Sequence, residues 1–179
     1  MAFSLAKVIF FIHLILVTNG LLFATTNGLP LQEVCRRCKD EKFCLYDFGS
    51  NSRTRFADYP LLGRIAIGTA QVLATHTQMK IHNSLLSATD PMLKGFLGLC
   101  ENAYVTVIRS LAMVSDDLDG ERYRDLRVHA EITAEAGQYC ESLFKSPYKS
   151  PVAGDDLKLN LLCDIIAIIA DDLNAGKRV

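Results

Sequence analysis

The chain has no tryptophan, only five prolines and eleven glycines among 179 residues, and no run of lysine or arginine dense enough to form a basic stripe. Each shortage removes a class of protein. So little Pro and Gly in a chain that is 50% apolar excludes collagen-like and disordered architectures. With 19 basic against 20 acidic side chains the formal charge is -1, which predicts no polyanion partner and excludes nucleic-acid binding, since that needs clustered cations to displace counterions. The period-two alternation of strands is missing as well, and one helical domain is the size that fits.

The N-terminus is set apart. One basic residue, Lys7, precedes the ten-residue apolar run Val8 to Val17, and small and polar residues follow. This is the pattern of a secretory leader over 1–24, cut between 20 and 28; Thr18, Asn19 and Gly20 interrupt it too early for a membrane span. No later stretch reads as a span, the most apolar one, Leu157 to Leu173, carrying Lys158, Asp164, Asp171 and Asp172 in or beside it. The expected mature domain is 29–176, with a small hairpin over 29–58 and a bundle over 60–175.

From Pro60 onward apolar residues recur at helical intervals. The first segment, Leu61 to Leu86, places Leu62, Ile65, Thr69, Val72, Leu73, His76 and Met79 on one face. Asp90-Pro91 opens the second, whose seam Leu93, Leu97, Cys100, Tyr104, Val107, Leu111, Val114, Leu118 steps by four and three. Asp119-Gly120 breaks it. The third carries Tyr123, Leu126, Ala130, Thr133, Gly137, Cys140 and Phe144, a seam of mostly small residues able to lie close against the second. Ser146 to Gly154 reads as a loop, and a last helix, capped by Asp155 or Asp156, runs to about Leu173 and is closed by Gly176. It is apolar almost all round, so the hairpin is expected to cover its outer side.

Six cysteines follow the leader, and in an oxidising route an even set reads first as disulfides, with fifteen possible pairings. Cys35-x-x-Cys38 lacks the second close pair of a zinc module and the strand-helix context of a thioredoxin-like site. Cys100 and Cys140 lie equally far on either side of Gly120, both on inward seams, so an antiparallel hairpin brings them to one height and predicts their bond. Cys44 pairs with Cys35 or Cys38, and the remaining one reaches Cys163 or stays reduced.

The first cysteine pair with eight residues between, the second pair forty apart, and the words Asp90-Pro91-Met92-Leu93-Lys94, Leu99-Cys100-Glu101-Asn102-Ala103-Tyr104 and Tyr139-Cys140-Glu141-Ser142-Leu143-Phe144 together resemble the plant invertase and pectin methylesterase inhibitor family. Asp-Pro-x-Leu-Lys and Ser150-Pro151-Val152 are most similar to its branch of plane-tree-pollen-allergen-like invertase inhibitors. The resemblance implies an all-α, antiparallel up-down four-helix bundle with a disulfide-stapled N-terminal hairpin, and it selects the pairs Cys35–Cys44 and Cys100–Cys140. Cys38 and Cys163 fall outside that pattern, as an extra disulfide or as free thiols. It further implies a secreted protein of the apoplast or vacuole, monomeric and not an enzyme, with no cofactor, metal or membrane, that occludes a pectin methylesterase or an acid invertase.

Within the family's target-distinguishing positions, Glu121-Arg122-Tyr123 stands where invertase inhibitors often show Pro-Lys-Phe, and Glu135 where pectin methylesterase inhibitors commonly carry Thr. The charge-rich tip Asp116 to Arg124 is thus a candidate contact, with Arg122 and Arg124 facing target carboxylates and Tyr123 supplying rigid area. His76 and His129 stand without a nucleophile motif, so no catalytic residue is assigned. The competing expectation is a non-inhibitory secreted bundle that stores, acts as an allergen-type protein or carries a ligand.

Overall fold

The computed structural model describes residues 29–178. The leader expected over 1–24 lies outside the described residues. Five α-helices follow: α1 Pro30–Cys35, α2 Tyr59–Ser87, α3 Pro91–Asp119, α4 Tyr123–Leu143 and α5 Ala153–Asn174. Between α1 and α2 the chain makes a wide turn at Phe43–Asp47 and a tight one at Phe48–Ser50, so the appendage is one short helix folded against irregular turns.

The long helices begin where the chemistry of their first residues requires. Asp58 and Asp90 accept hydrogen bonds from the amides of Leu61 at 2.8 Å and Leu93 at 2.9 Å, each ahead of a proline whose missing N–H costs nothing there. For α5 the expected cap is corrected: the helix starts at Ala153, and Asp155 and Asp156 sit inside its first turn, where their charge suits the helix dipole. Its end matches the expectation. Gly176 takes φ 86°, and the amides of Gly176 and Lys177 return to the carbonyls of Leu173 and Asp172 at 3.0 and 2.9 Å.

Helices α2 to α5 form a closed ring in which α3 touches α2 and α4, and α5 touches α4 and α2. Leu97, Tyr104, Val107 and Leu111 of α3 and Leu159, Leu162, Ile165, Ile166 and Ile169 of α5 fill the centre, all 2% exposed or less. Burying each such Leu or Ile is worth about 2 kcal/mol. By length and composition α3 is apolar enough to cross a membrane, contrary to the sequence-based expectation, but its apolar seam is buried against its neighbours, as a bundle's core helix requires.

The expected face of α2 is half right. Leu62 and Ile65 point inward, whereas Val72 and Met79 are 59% and 52% exposed and His76 is exposed. The true inner line is Leu62, Ala66, Ala70, Ala74, Thr77 and Ile81. Small residues let α2 lie close to its neighbours, and close approach of backbones outweighs the larger apolar residues one step round the helix.

Both disulfides implied by the resemblance are present. Cys35–Cys44 staples the appendage, with Cα atoms 5.3 Å apart, and Cys100–Cys140 joins α3 to α4 at 4.6 Å. Cys38 and Cys163 are free. Burial pushes both thiols up to about 12, which leaves almost no thiolate to react at neutral pH. The appendage lies on α5: the Lys39 amide donates to Asp164 at 2.8 Å, and Arg37 pairs with the buried Asp172. Lys177 bridges the same two regions, reaching Glu33 at 2.5 Å and Asp172 at 3.2 Å.

Candidate target-binding face

The α3–α4 connection is built around a buried acid. Asp117 is 4% exposed; its carboxylate accepts from the Arg122 Nε at 2.9 Å and lies 2.6 Å from His129 Nδ1. For Arg122 to fold back this way position 120 must be glycine, because a Cβ there would collide with the guanidinium. The left-handed residue at the helix end is nevertheless Glu121, φ 55°, rather than Gly120. A Cβ in that region is strained by about 1 kcal/mol. Glu121→Gly is therefore expected to raise the urea midpoint by an amount equivalent to about 0.5–1 kcal/mol, since the surface pair from Glu121 to Arg178 at 3.1 Å offsets little. A drop in the midpoint contradicts this account of the turn.

Of the five contact residues read from the sequence, the structure separates three from two. Tyr123 is 8% exposed, capped by Arg178, whose guanidinium donates to its hydroxyl and lies 5.2 Å from its ring centre. Its ring closes the bundle end and leaves little area open, as its place on the α4 seam requires. Arg122 and Glu121 are committed to Asp117 and Arg178. Arg124 and Glu135 stand free in solvent on the outside of α4.

Those two belong to a stripe. Arg124, Val128, Ile132, Glu135 and Tyr139 recur at spacings of four, four, three and four, and Val128, Ile132 and Tyr139 are 50%, 38% and 49% exposed. On the adjoining side of α3, Leu99 and Met113 are 45% and 41% exposed. Scattered exposed apolar residues are ordinary; a file of them along two helices locked together by a disulfide is a candidate contact surface. The signal was available in the sequence as apolar residues lying off the seam, which a search for the core passes over.

His129 is occupied by Asp117, and His76 points into solvent. A hollow of about 310 Å³ between α2 and α3 holds His82 Nδ1 2.7 Å from Glu101, with Gln78, Met79 and Asn83 around them and no nucleophile. Among the described residues no three of His, Cys, Asp and Glu gather as a metal site.

A rigid, disulfide-clasped helical bundle with a mixed apolar and charged face defines a protein-binding module. The comparisons with known proteins give it a family: residues 30–169 match the plant invertase/pectin methylesterase inhibitor family, and the chain belongs to it. A pectinesterase inhibitor of Actinidia deliciosa is 30% identical over 99% of this chain and 100% of its own length. A cell wall/vacuolar inhibitor of fructosidase from Arabidopsis thaliana is 29% identical over 90% and 96%. In fold, the bundle superimposes on a crystal structure of a mutant pectin methylesterase inhibitor from Arabidopsis with a TM-score of 0.73 at 18% identity, covering 80% of this chain and 97% of the other. Members of the family inhibit enzymes and are not themselves enzymes.

Proposed function

We propose that this chain is an inhibitor protein of the cell wall or vacuole that occludes a plant carbohydrate-active enzyme, a pectin methylesterase or an acid invertase, with the outward face of α3 and α4. Membership of the family over almost the whole described chain carries the inhibitory reading. What supports the choice of face is the exposed file on α4, Arg124 to Tyr139, beside Leu99 and Met113 of α3. Tyr and Arg are the residue types that dominate interface energies, and both are free in this file. Relatives named for the two target enzymes stand at nearly equal identity, 30% and 29%, so the choice between targets falls to titration.

Pectin methylesterase and invertase are each titrated with the oxidised protein. One loses activity stoichiometrically. Against that enzyme, Tyr139→Ala and Ile132→Asp each weaken inhibition by at least about tenfold, equivalent to the 1.4 kcal/mol or more that a central contact supplies. Melting temperatures stay within a degree or two, because both side chains are exposed. Unchanged potency in both variants moves the contact elsewhere, and full activity of both enzymes in excess inhibitor favours the non-inhibitory carrier.

A further inference from the structure

A second concave site lies at the opposite corner of the bundle. Where the turn after the appendage meets the first half of α2, a cavity of about 380 Å³ opens between Asn51 and Arg53 on one wall and Arg64, Gly68, Thr69 and Val72 on the other. Gly68 forms open floor, since a Cβ there would meet nothing within 4 Å. Its lining residues come from the appendage turn and from α2 and include none of the exposed file on α3 and α4.

Its chemistry is selective. Among the described residues no carboxylate pairs with Arg53. Arg64 directs Nε and Nη2 at Asp119, 3.2 and 3.1 Å away, which fixes the guanidinium and leaves Nη1 unused. Two guanidinium groups and one carboxylate leave the mouth with one uncompensated positive charge. Asn51 uses its oxygen on the Arg53 amide at 3.0 Å and keeps its NH2 as a donor. Thr69 gives its hydroxyl proton to the Ile65 carbonyl at 2.8 Å and keeps its oxygen as an acceptor. Val72, 59% exposed, adds an apolar edge.

A bare inorganic anion has use for the guanidinium groups but none for an apolar wall or a hydroxyl acceptor. A neutral sugar can use the amide, the hydroxyl and the wall, and leaves Arg53 unanswered. One ligand class uses all of them: a sugar ring that presents C–H to Val72, hydroxyls to Asn51 and Thr69, and a carboxylate to the arginines. We propose that this cavity binds a uronic-acid unit of an acidic oligosaccharide. The whole-chain charge of -1, which by itself predicts no polyanion partner, is blind to this local excess. The site goes beyond enzyme inhibition and does not depend on it.

The test is calorimetric titration of the intact, oxidised protein at low salt with trigalacturonate, maltotriose and inorganic sulfate, with no enzyme present. Trigalacturonate is expected to bind and the other two to bind at least about fivefold more weakly, maltotriose for want of the charge-assisted contact and sulfate for want of the apolar and hydroxyl contacts. Arg53→Ala lowers its affinity about fivefold, Gly68→Leu abolishes binding by filling the floor, and Asp119→Asn raises affinity by removing the competing carboxylate. The last sign is opposite to that of general damage. Circular dichroism checks that Gly68→Leu is folded, as expected for a residue that improves helix propensity at an open position. Equal binding of maltotriose, equal binding of sulfate, absence of trigalacturonate binding, or indifference to Arg53→Ala each overturns the proposal. Gly68→Leu leaves the enzyme titrations unchanged, so loss of the saccharide site and loss of inhibition are read separately.

Discussion

Replacing both members of the α3–α4 bridge, as Cys100→Ala with Cys140→Ala, lowers the stability of the bundle by about 4 kcal/mol and its Tm by roughly 8–16 °C. The two residues are 40 apart in sequence, and closing a loop of that length removes this much entropy from the unfolded chain. Cys35–Cys44, separated by 9, closes a much shorter loop, so by the same loop-entropy relation its removal costs less, about 2.5 kcal/mol, and frees only the appendage. The order of the two effects follows from loop length alone, because the constant in that relation is common to both. Calorimetry of the two double variants gives it directly. A loss below about 1 kcal/mol for the α3–α4 pair contradicts the view that this bridge holds the proposed contact face in register. Inhibition is expected to weaken when the bridge is removed, because the file of exposed residues across α3 and α4 then loses the covalent link that fixes their relative height.

The second large effect is a pH dependence written into the core. Tyr104 of α3 donates its hydroxyl to Asp156 Oδ1 of α5 at 2.5 Å, and Asp156 is 5% exposed. The other Asp156 oxygen is buried without a partner, as is Oε2 of Glu141 on α4. On α2, Lys80 reaches toward this cluster but pairs with Asp155 at 3.0 Å. Burial therefore raises the Asp156 carboxyl to about 7; the Tyr104 hydrogen bond opposes the rise, while the charges of Glu141 and Asp155 add to it. Unfolded, the group titrates near its ordinary value of 3.8.

Between those two values the native state keeps a proton that the unfolded chain has released. The contribution is complete below pH 3.8 and is lost as pH rises through about 7. At about 1.4 kcal/mol per unit, discounted for the solvent that reaches the group, the difference is on the order of 2 kcal/mol in favour of the acidic side. Asp156→Asn keeps the acceptor for Tyr104 and carries no charge, so its stability varies less steeply with pH. Urea titrations from pH 4 to pH 8 of both proteins measure it: the wild-type curve falls relative to the variant, and parallel curves sink the assignment. An acidic compartment is where such a core is most stable.

Much of the architecture is legible along the chain. Helix limits in α2 and α3 can be read because Asp-x-Pro and Asp-Pro starts are local chemistry, satisfied within three residues of chain. The Cys100–Cys140 bond is readable because an antiparallel hairpin with a short turn fixes which residues meet. Other features are hidden. Val72 and Met79 pass for core because periodicity locates a stripe and not the face that close packing selects; Ala66, Ala70 and Ala74 take that face by being small. The burial of Tyr123 is hidden because sequence shows a charged neighbourhood and cannot show Arg178, 55 residues away, folding over its ring.

By itself the sequence determined the class of fold, the starts of α2 and α3 and the Cys100–Cys140 staple, since each rests on interactions between near neighbours or on spacings along one axis, while the family resemblance selected Cys35–Cys44. Tertiary structure alone decided which polar groups are shut inside, which apolar file faces out, and that Arg53 and Arg64 open onto one hollow, because burial and local charge are sums over chain segments that meet only when the bundle closes.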